Sequence, residues 1–253
     1  MDMTLRIPIL RQLLFRDLYI NRKSTLIMAG TVTGLLTLFG VLAKMDSEPT
    51  TAGFHLTWYG IFFLIIGLFH TGGAFNEFAQ PATRQDYLLL PASHIEKWSA
   101  RWLRTLPFYM LSFTLVYWLA SWIMNLVCWL AFGEIHSVFQ PFQEQIWDFW
   151  KIYIIAHAVF LIGAIHFNKA ATIKTALTLL VLQTAISFIV GIAAWMIFRS
   201  WSVDESMINP SFGFNFSEQM DFLLGKVGQL ILWLVLVPFF WWVSFLKLTE
   251  KEV

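Results

Sequence analysis

The sequence predicts an all-α membrane protein with six transmembrane helices, and three observations lead to this class. Six apolar stretches, separated by short polar segments, each approach the ~20 residues that a helix needs to cross a ~30 Å hydrocarbon layer. Hydrophobic residues make up 58% and charged residues 13% of the 253 residues, whereas soluble domains carry about 25% charged residues. The mean hydropathy is +0.64. We therefore expect a single transmembrane domain over residues 1–253, which acts inside a membrane or through a partner.

The predicted spans follow the apolar stretches in chain order. They cover residues 24–43, 54–75, 106–132, 149–165, 175–198 and 227–245. The chain also contains 13 tryptophans, a residue that favours the two membrane–water interfaces. No internal repeat or low-complexity tract divides the sequence, so a second domain is not expected.

Lysine and arginine are distributed unequally between the two sets of connecting segments. The N-terminus, the second–third and fourth–fifth connections and the C-terminus hold 13 of the 17 basic residues: Arg6, Arg11, Arg16, Arg22, Lys23, Arg84, Lys97, Arg101, Arg104, Lys169, Lys174, Lys247 and Lys251. The opposite set holds Lys44, Lys151, Arg199 and Lys226. Because cytoplasmic loops carry the excess of basic residues, we expect both termini in the cytoplasm. Six crossings agree with this expectation, since an even number returns the chain to the side on which it started.

The N-terminal segment, residues 5–23, reads as an amphipathic helix that is too charged to span. Four leucines recur at helical spacing, at Leu10, Leu13, Leu14 and Leu18. The polar positions between them are Arg11, Gln12, Arg16 and Asp17. Such a helix is expected to lie on the cytoplasmic leaflet, with its basic residues near anionic head groups. The alternative is a solvated terminal helix.

The connection between the second and third spans, residues 76–105, is expected to be ordered. Pro81 and Pro91 bracket a short helix, because proline suits a helix start and ends a helix that meets it. Ser93 and Glu96 have the spacing of a capping box, which opens a second helix that runs into the third span. The intervening leucines, residues 88–90, need an apolar environment, either under the bundle or in another protein.

The outer connection between the last two spans, residues 199–226, is unusually apolar. Its second half, residues 212–224, carries Glu218 and Asp221 as its only charges. We expect a short re-entrant or interfacial segment there, because protein can bury its backbone at membrane depth.

The sequence contains no convincing catalytic, cofactor or metal site. The phosphate-loop, nucleophile-elbow, H-E-x-x-H and C-x-x-C motifs are all missing. Cys128 is the single cysteine, which excludes an internal disulfide bond. Ionisable residues within spans are functional candidates, but His157 is expected to be a neutral, hydrogen-bonded residue of the helix packing. His70 and Glu77 lie two helical turns apart near the cytoplasmic end of the second span.

The layout and one local segment resemble a known family. The N-terminal amphipathic helix, the six spans, the structured second–third connection and the apolar outer segment resemble the permease subunit of ABC-2 type exporters. The sequence R-Q-D-Y-L-L-L-P-A-S at residues 84–93, followed by Glu96 and Lys97, is similar to the corresponding loop of small bacterial permeases of that group. The chain lacks the large extracellular domain of some members.

This resemblance implies a non-catalytic subunit of the bacterial inner membrane that pairs with a second permease copy. Separate ATPase subunits would bind ATP and Mg, and the chain itself would hold no cofactor. Residues 5–23 would form the elbow helix. The coupling helix that enters the ATPase would comprise Pro81, Thr83, Arg84, Gln85, Asp86, Tyr87, Leu88, Leu89 and Leu90. A smaller contact would come from Asn168, Lys169 and Thr172.

The resemblance also implies a substrate, which the aromatic-rich spans suggest is amphipathic or lipid-like. Nucleic acid is not an expected partner.

Two alternatives remain open. An integral-membrane lipid-modifying enzyme would need a polar cluster at one membrane face, for which His70 and Glu77 are the candidates. A membrane assembly or scaffold protein would need neither this cluster nor an ATPase. An ATP-binding subunit encoded nearby would favour the permease.

Overall fold

The computed structural model describes residues 6–45, 51–133, 137–167, 169–200, 225 and 228–252. These residues form helices and connecting turns, with no β-strand among them. The longer helices are α1 (Ile7–Met45), α2 (Ala52–Gly72), α3 (Pro81–Leu88), α4 (His94–Leu103), α5 (Tyr109–Phe132), α6 (Glu144–His166), α7 (Ala171–Ser200) and α8 (Val237–Glu252). The described residues contain six helices that are long and apolar enough to cross a membrane. The prediction of an all-α, multi-pass membrane protein is confirmed at this level.

The first helix differs from its predicted division into an interfacial helix and a span. α1 is one continuous helix of 39 residues, because residues 9–29 contain neither glycine nor proline to break it. At 1.5 Å per residue its length is about 58 Å, so it extends well beyond a ~30 Å apolar layer. Asp17, which the sequence places on the polar face, is 3% exposed. That assignment is wrong, because this side chain faces the bundle.

The third span is longer than predicted, because α4 continues into α5 through a π-helical turn at Arg104–Phe108. Pro107 lies inside this turn, and proline removes a backbone donor and displaces the regular ladder. A second π-helical turn, Leu232–Leu236, precedes α8 and follows a short helical turn at Gly228–Ile231. The re-entrant segment predicted at residues 212–224 lies outside the described residues.

The centre of the bundle is rich in buried tyrosine. Four of these side chains are at most 2% exposed: Tyr59, Tyr109, Tyr117 and Tyr153. Tyr109 donates its hydroxyl proton to the carbonyl of Phe63 at 2.7 Å. Tyr153 donates in the same way to the carbonyl of Thr105 at 2.6 Å. A buried hydroxyl without a partner would cost free energy, so these bonds allow tyrosine to pack α2, α5 and α6 together.

Two glycines of α2 allow α6 to approach closely. A β-carbon at Gly60 would overlap the ring of Phe149, and one at Gly67 would overlap the rings of Tyr109 and Tyr153. Small residues of this kind let helix backbones approach each other inside a membrane. The close packing of α2 on α6 therefore depends on glycine at both positions.

Several helix ends meet at one end of the bundle, which we call the charged end. Trp98, near the start of α4, donates to the Ser244 hydroxyl of α8 at 2.8 Å. Lys251, near the end of α8, donates to the carbonyl of His166 at the end of α6 at 3.5 Å. α7 begins here, and among its described side chains Ala171 and Thr175, in the first turns, are the buried ones. These contacts bring the ends of α6 and α8 together with the starts of α4 and α7.

Gly67→Ala should destabilise the protein by about 1–3 kcal/mol, because the added methyl group overpacks the tyrosine core. Gly30→Ala is the matched control, since Gly30 of α1 has open space around it and alanine favours the helix. Thermal unfolding of the detergent-solubilised protein, followed by tryptophan fluorescence, measures both. Equal melting temperatures for the two variants would contradict the close α2–α6 packing.

Candidate functional site

α3 projects at the charged end and is exposed along most of its length. Proline at its first position suits a helix start, because the missing N–H would have no partner there. The side chains from Ala82 to Asp86 are exposed, whereas Tyr87 is 1% exposed. The predicted leucine run divides: Leu89 is 80% exposed, and Leu90 packs partly against the bundle. α3 therefore exposes most of its side chains, and Tyr87 is the buried one among Ala82–Leu88.

Tyr87 anchors α3 to the bundle through aromatic and cationic contacts. Its ring centroid lies 5.1 Å from that of Phe78, in an edge-to-face arrangement. The Lys97 ammonium lies 5.0 Å from the Tyr87 centroid, and the Arg101 guanidinium carbon lies 5.7 Å from it. Cations at such distances are attracted by the face of an aromatic ring. Tyr87 thus connects α3 to the side chains of α4.

Arg101 joins three separate segments of the chain at the charged end. Its Nη1 lies 3.0 Å from the Asp17 carboxylate of α1. Its Nη2 lies 2.6 Å from the Glu77 carboxylate, in the 3-10 turn Asn76–Ala79 that leads to α3. The planar guanidinium has five donors in a fixed fork, so it can bond two carboxylates at once. Arg101 therefore connects α1, the turn before α3 and α4 directly.

Arg104 completes this buried network. Its Nη1 lies 3.8 Å from the same Asp17 carboxylate, and both side chains are at most 5% exposed. Asp17 and Glu77 formally balance Arg101 and Arg104, so the four groups sum to zero charge. Removing one member of a buried ion network leaves a charge without compensation, which is strongly destabilising.

The start of α4 has the capping box that the spacing of Ser93 and Glu96 predicts. The Glu96 backbone donates to the Ser93 hydroxyl at 3.3 Å, and the Ser93 backbone donates to the Glu96 carboxylate at 2.8 Å. The other Glu96 oxygen accepts bonds from the Arg6 backbone at 2.8 Å and from its guanidinium at 3.2 Å. The Glu96 side chain is fully buried. The cap therefore also fastens the residue that precedes α1.

The smaller predicted contact lies at the start of α7. Lys169 is exposed and Thr172 is half-buried, whereas Asn168 lies outside the described residues. The last turn of α8 contacts α3 and the end of α6: Arg84 donates to the carbonyl of Lys251 at 3.3 Å, and Lys251 donates to the carbonyl of His166 at 3.5 Å.

The deepest histidine, His157, is part of the helix packing. Its Nδ1 accepts a hydrogen bond from the Trp241 indole at 3.4 Å. Its Nε2 lies 2.9 Å from the Thr105 hydroxyl, which itself donates to the Arg101 carbonyl at 2.8 Å. Because the Thr105 hydroxyl proton is used for the Arg101 carbonyl, Nε2 carries the ring proton and donates it to the Thr105 oxygen. Nδ1 carries no proton, since it accepts from Trp241, and the imidazole is therefore neutral. The predicted neutral, hydrogen-bonded histidine is confirmed.

The residues considered for an enzymatic site have other surroundings. Glu77 is held by Arg101. His70 stacks on Tyr109 with their ring centroids 5.4 Å apart. Among the described residues, no three histidine, cysteine, aspartate or glutamate side chains are grouped closely enough to hold a metal ion.

The sequence interpretation missed the ion network and the role of Tyr87. A signal was present for Asp17: it follows Leu13 by four residues and Leu14 by three, so it shares their helix face. A carboxylate on an apolar face requires a buried cation. Arg101 and Arg104 are the basic residues that lie nearest the predicted third span, and pairing them with Asp17 was therefore a possible inference.

No family model, curated protein or solved structure matches this chain.

Asp17→Asn should lower the free energy of unfolding by about 3–5 kcal/mol, because it removes the carboxylate that Arg104 faces and leaves Arg101 paired with Glu77 alone. Asp148→Asn is the control, since it breaks an exposed pair with Lys151 and should change stability by at most about 1 kcal/mol. Denaturant titration in detergent measures both values. A small loss of similar size in the two variants would show that the buried network does not hold the charged end together.

Proposed function

We propose that this protein is the membrane-spanning subunit of an ABC-2 type exporter of a bacterial inner membrane. It has no catalytic role of its own, and it couples to a separate ATPase subunit that binds ATP and Mg. Two permease copies form the translocation pathway, with both termini in the cytoplasm. The observation that carries this proposal is α3, which is exposed almost throughout and anchored to the transmembrane bundle by Tyr87.

The exposure of α3 supports a partner at the charged end. Leu89 is 80% exposed and Leu88 is 36% exposed, at the end of the bundle that also holds Arg84 and Lys251. Water would surround these leucines if no protein covered them. An apolar pair on a projecting helix with polar neighbours is typical of a segment that docks into another protein. The charge asymmetry of the sequence supports a cytoplasmic position for this end, where an ATPase subunit would bind.

The contacts below α3 give a route by which movement of an ATPase could reach the spans. A displacement of α3 would act on Tyr87, whose ring lies against Arg101. Arg101 holds Asp17 of α1 and lies one turn before the π-helical turn Arg104–Phe108. Irregular helical turns of this kind are frequent at functional sites and hinges. Two spans would therefore move together when α3 is displaced.

The first half of α1 is proposed to lie at the cytoplasmic leaflet, in the role of an elbow helix continuous with the first span. Its exposed apolar side chains include Phe15, Tyr19 and Ile20, each at least 60% exposed. Exposed arginines flank them at Arg11 and Arg22. This combination suits the boundary between acyl chains and anionic head groups.

The substrate is proposed to be amphipathic or lipid-like because the spans are rich in aromatic residues. Residues 212–224 are proposed, from their sequence, to form the outer re-entrant segment.

Leu89→Asp should abolish co-purification of an ATP-binding-cassette subunit, because a carboxylate would replace an apolar contact at the centre of the docking surface. Fold and membrane insertion should be unchanged, since this side chain is exposed. Phe142→Asp is the control, because Phe142 is 90% exposed in the turn before α6, away from the charged end. The measurement is a mild-detergent pull-down of tagged protein from native membranes, with mass spectrometry of the bound subunits.

Two outcomes would contradict this proposal in different ways. Recovery of the ATPase subunit at wild-type stoichiometry with the Leu89 variant would remove α3 from the coupling role. Recovery of the unaltered protein alone, from membranes without a matching ATPase, would favour the lipid-modifying enzyme or the scaffold.

A further inference from the structure

A small cavity with both polar and apolar walls lies beside the buried ion network, between α1, α2 and α5. Its volume is about 60 Å³, which is several times the ~10–15 Å³ that a cavity needs to hold one water. The polar residues of its wall are Asn21, Ser24, Thr25, His70, Arg104, Tyr109 and Ser112. These side chains can bond a polar ligand, while Leu18, Met28 and Phe108 form the apolar part of the wall.

Arg104 is the cationic member of this wall, and its hydrogen-bonding capacity is incompletely used. Its side chain is 5% exposed, and its buried Nε has no hydrogen-bond partner among the described residues. Its nearest carboxylate, that of Asp17, lies 3.8 Å away and is shared with Arg101, which is closer at 3.0 Å. A buried guanidinium with an unused donor is costly, so an acceptor is expected at this position.

The neighbouring groups can complete an anion-binding site. Asn21 uses one amide proton for the carbonyl of Asp17 at 2.8 Å, and its second proton remains for a ligand. His70 also lines the cavity, and its ring stacks on Tyr109. Ser24, on the exposed side of α1, supplies a hydroxyl at the cavity wall. Asp17 is the carboxylate closest to this site, and its charge is already shared between two guanidinium groups.

A second, apolar depression adjoins the cavity. It has a volume of about 640 Å³ and a wholly apolar accessible surface, and Leu18 and Phe108 line both spaces. Its other apolar walls come from the first turns of α1 and from the region around Pro107. A cavity with a buried cation and several hydrogen-bonding side chains, next to an apolar groove, offers surfaces for both the head group and an acyl chain of a phospholipid.

We propose that the cavity at Arg104 binds a phosphate group, and that the adjoining groove receives the acyl chain of the phospholipid that carries it. Arginine is suited to phosphate because its planar fork matches two oxygens at once. Asn21, Ser24 and His70 complete the polar shell. Binding would supply the acceptor that Arg104 lacks and would tie α1 to α5 at the charged end. The site does not depend on the proposed transport function, because a resident lipid serves a permease, an enzyme or a scaffold equally.

The test is native mass spectrometry of the detergent-solubilised full chain, titrated with dioctanoyl phosphatidic acid. Dioctanoylglycerol is the ligand control, because it has the same chains without phosphate. We expect binding of the first and at least about tenfold weaker binding of the second. Equal binding of the two lipids would overturn the proposal, since the phosphate would contribute nothing. If inorganic phosphate displaces phosphatidic acid, the cavity at Arg104 binds a free anion. If it does not, the cavity binds the phosphate of the lipid.

Four variants locate the binding. Ser24→Leu fills the cavity from an exposed position, and Thr31→Leu is its control on the exposed face of the same helix. Arg104→Gln removes the cation, and Lys23→Gln is its control, since Lys23 is exposed and does not line the cavity. We expect the first member of each pair to weaken phosphatidic acid binding about tenfold or more and each control by less than about twofold. Similar losses in Ser24→Leu and Thr31→Leu would overturn the site, and this comparison holds even if Arg104→Gln does not fold.

Discussion

The charged end of this bundle depends on the two ion pairs of Arg101. Asp17 and Glu77 lie far apart in the sequence, and neither carboxylate belongs to the element that carries the arginine. Burying these charges singly would be prohibitive, so the three segments are stable only in an arrangement that brings them together. The network therefore selects the position of α1 against α4, and it fixes the turn from which α3 projects. Tyr87 then lies on the same guanidinium.

The interior beyond this network is held together by different means. Tyrosine hydroxyls bond backbone carbonyls across helices, and glycines of α2 let the rings of α6 approach. Helices in a membrane gain little from the hydrophobic effect between them, so close packing and hydrogen bonds decide their association. The π-helical turn at Arg104–Phe108 lies between the tyrosine core and the ion network. The proposed coupling relies on this arrangement, in which an irregular turn links a firm core to the charged end.

The sequence predicted the features that local pattern determines. Six apolar stretches predict six long helices because hydrocarbon thickness sets their length, and the box at Ser93 and Glu96 depends on four adjacent residues. Asp17 is expected on the polar face because aspartate is a charged residue, although its spacing puts it on the same face as Leu13 and Leu14. Its partner Arg101 lies in a distant helix, which local pattern does not reveal. The separate elbow helix was expected because charge after residue 20 suggests a boundary, although no residue there breaks a helix. The division of the leucine run, with Leu89 outward and Leu90 inward, depends on tertiary packing that periodicity over a single turn does not specify.

Hydrogen–deuterium exchange of an Arg101→Lys variant tests most directly whether this side chain holds the charged end together. Lysine keeps the charge but lacks the planar fork, so it cannot reproduce the two-carboxylate geometry. We expect faster amide exchange in residues 7–20 and in residues 76–90 together, with exchange in α6 unchanged. Exchange that matches the unaltered protein in both segments, or that rises only around residue 101, would contradict the account, because the three segments would then be held by other contacts.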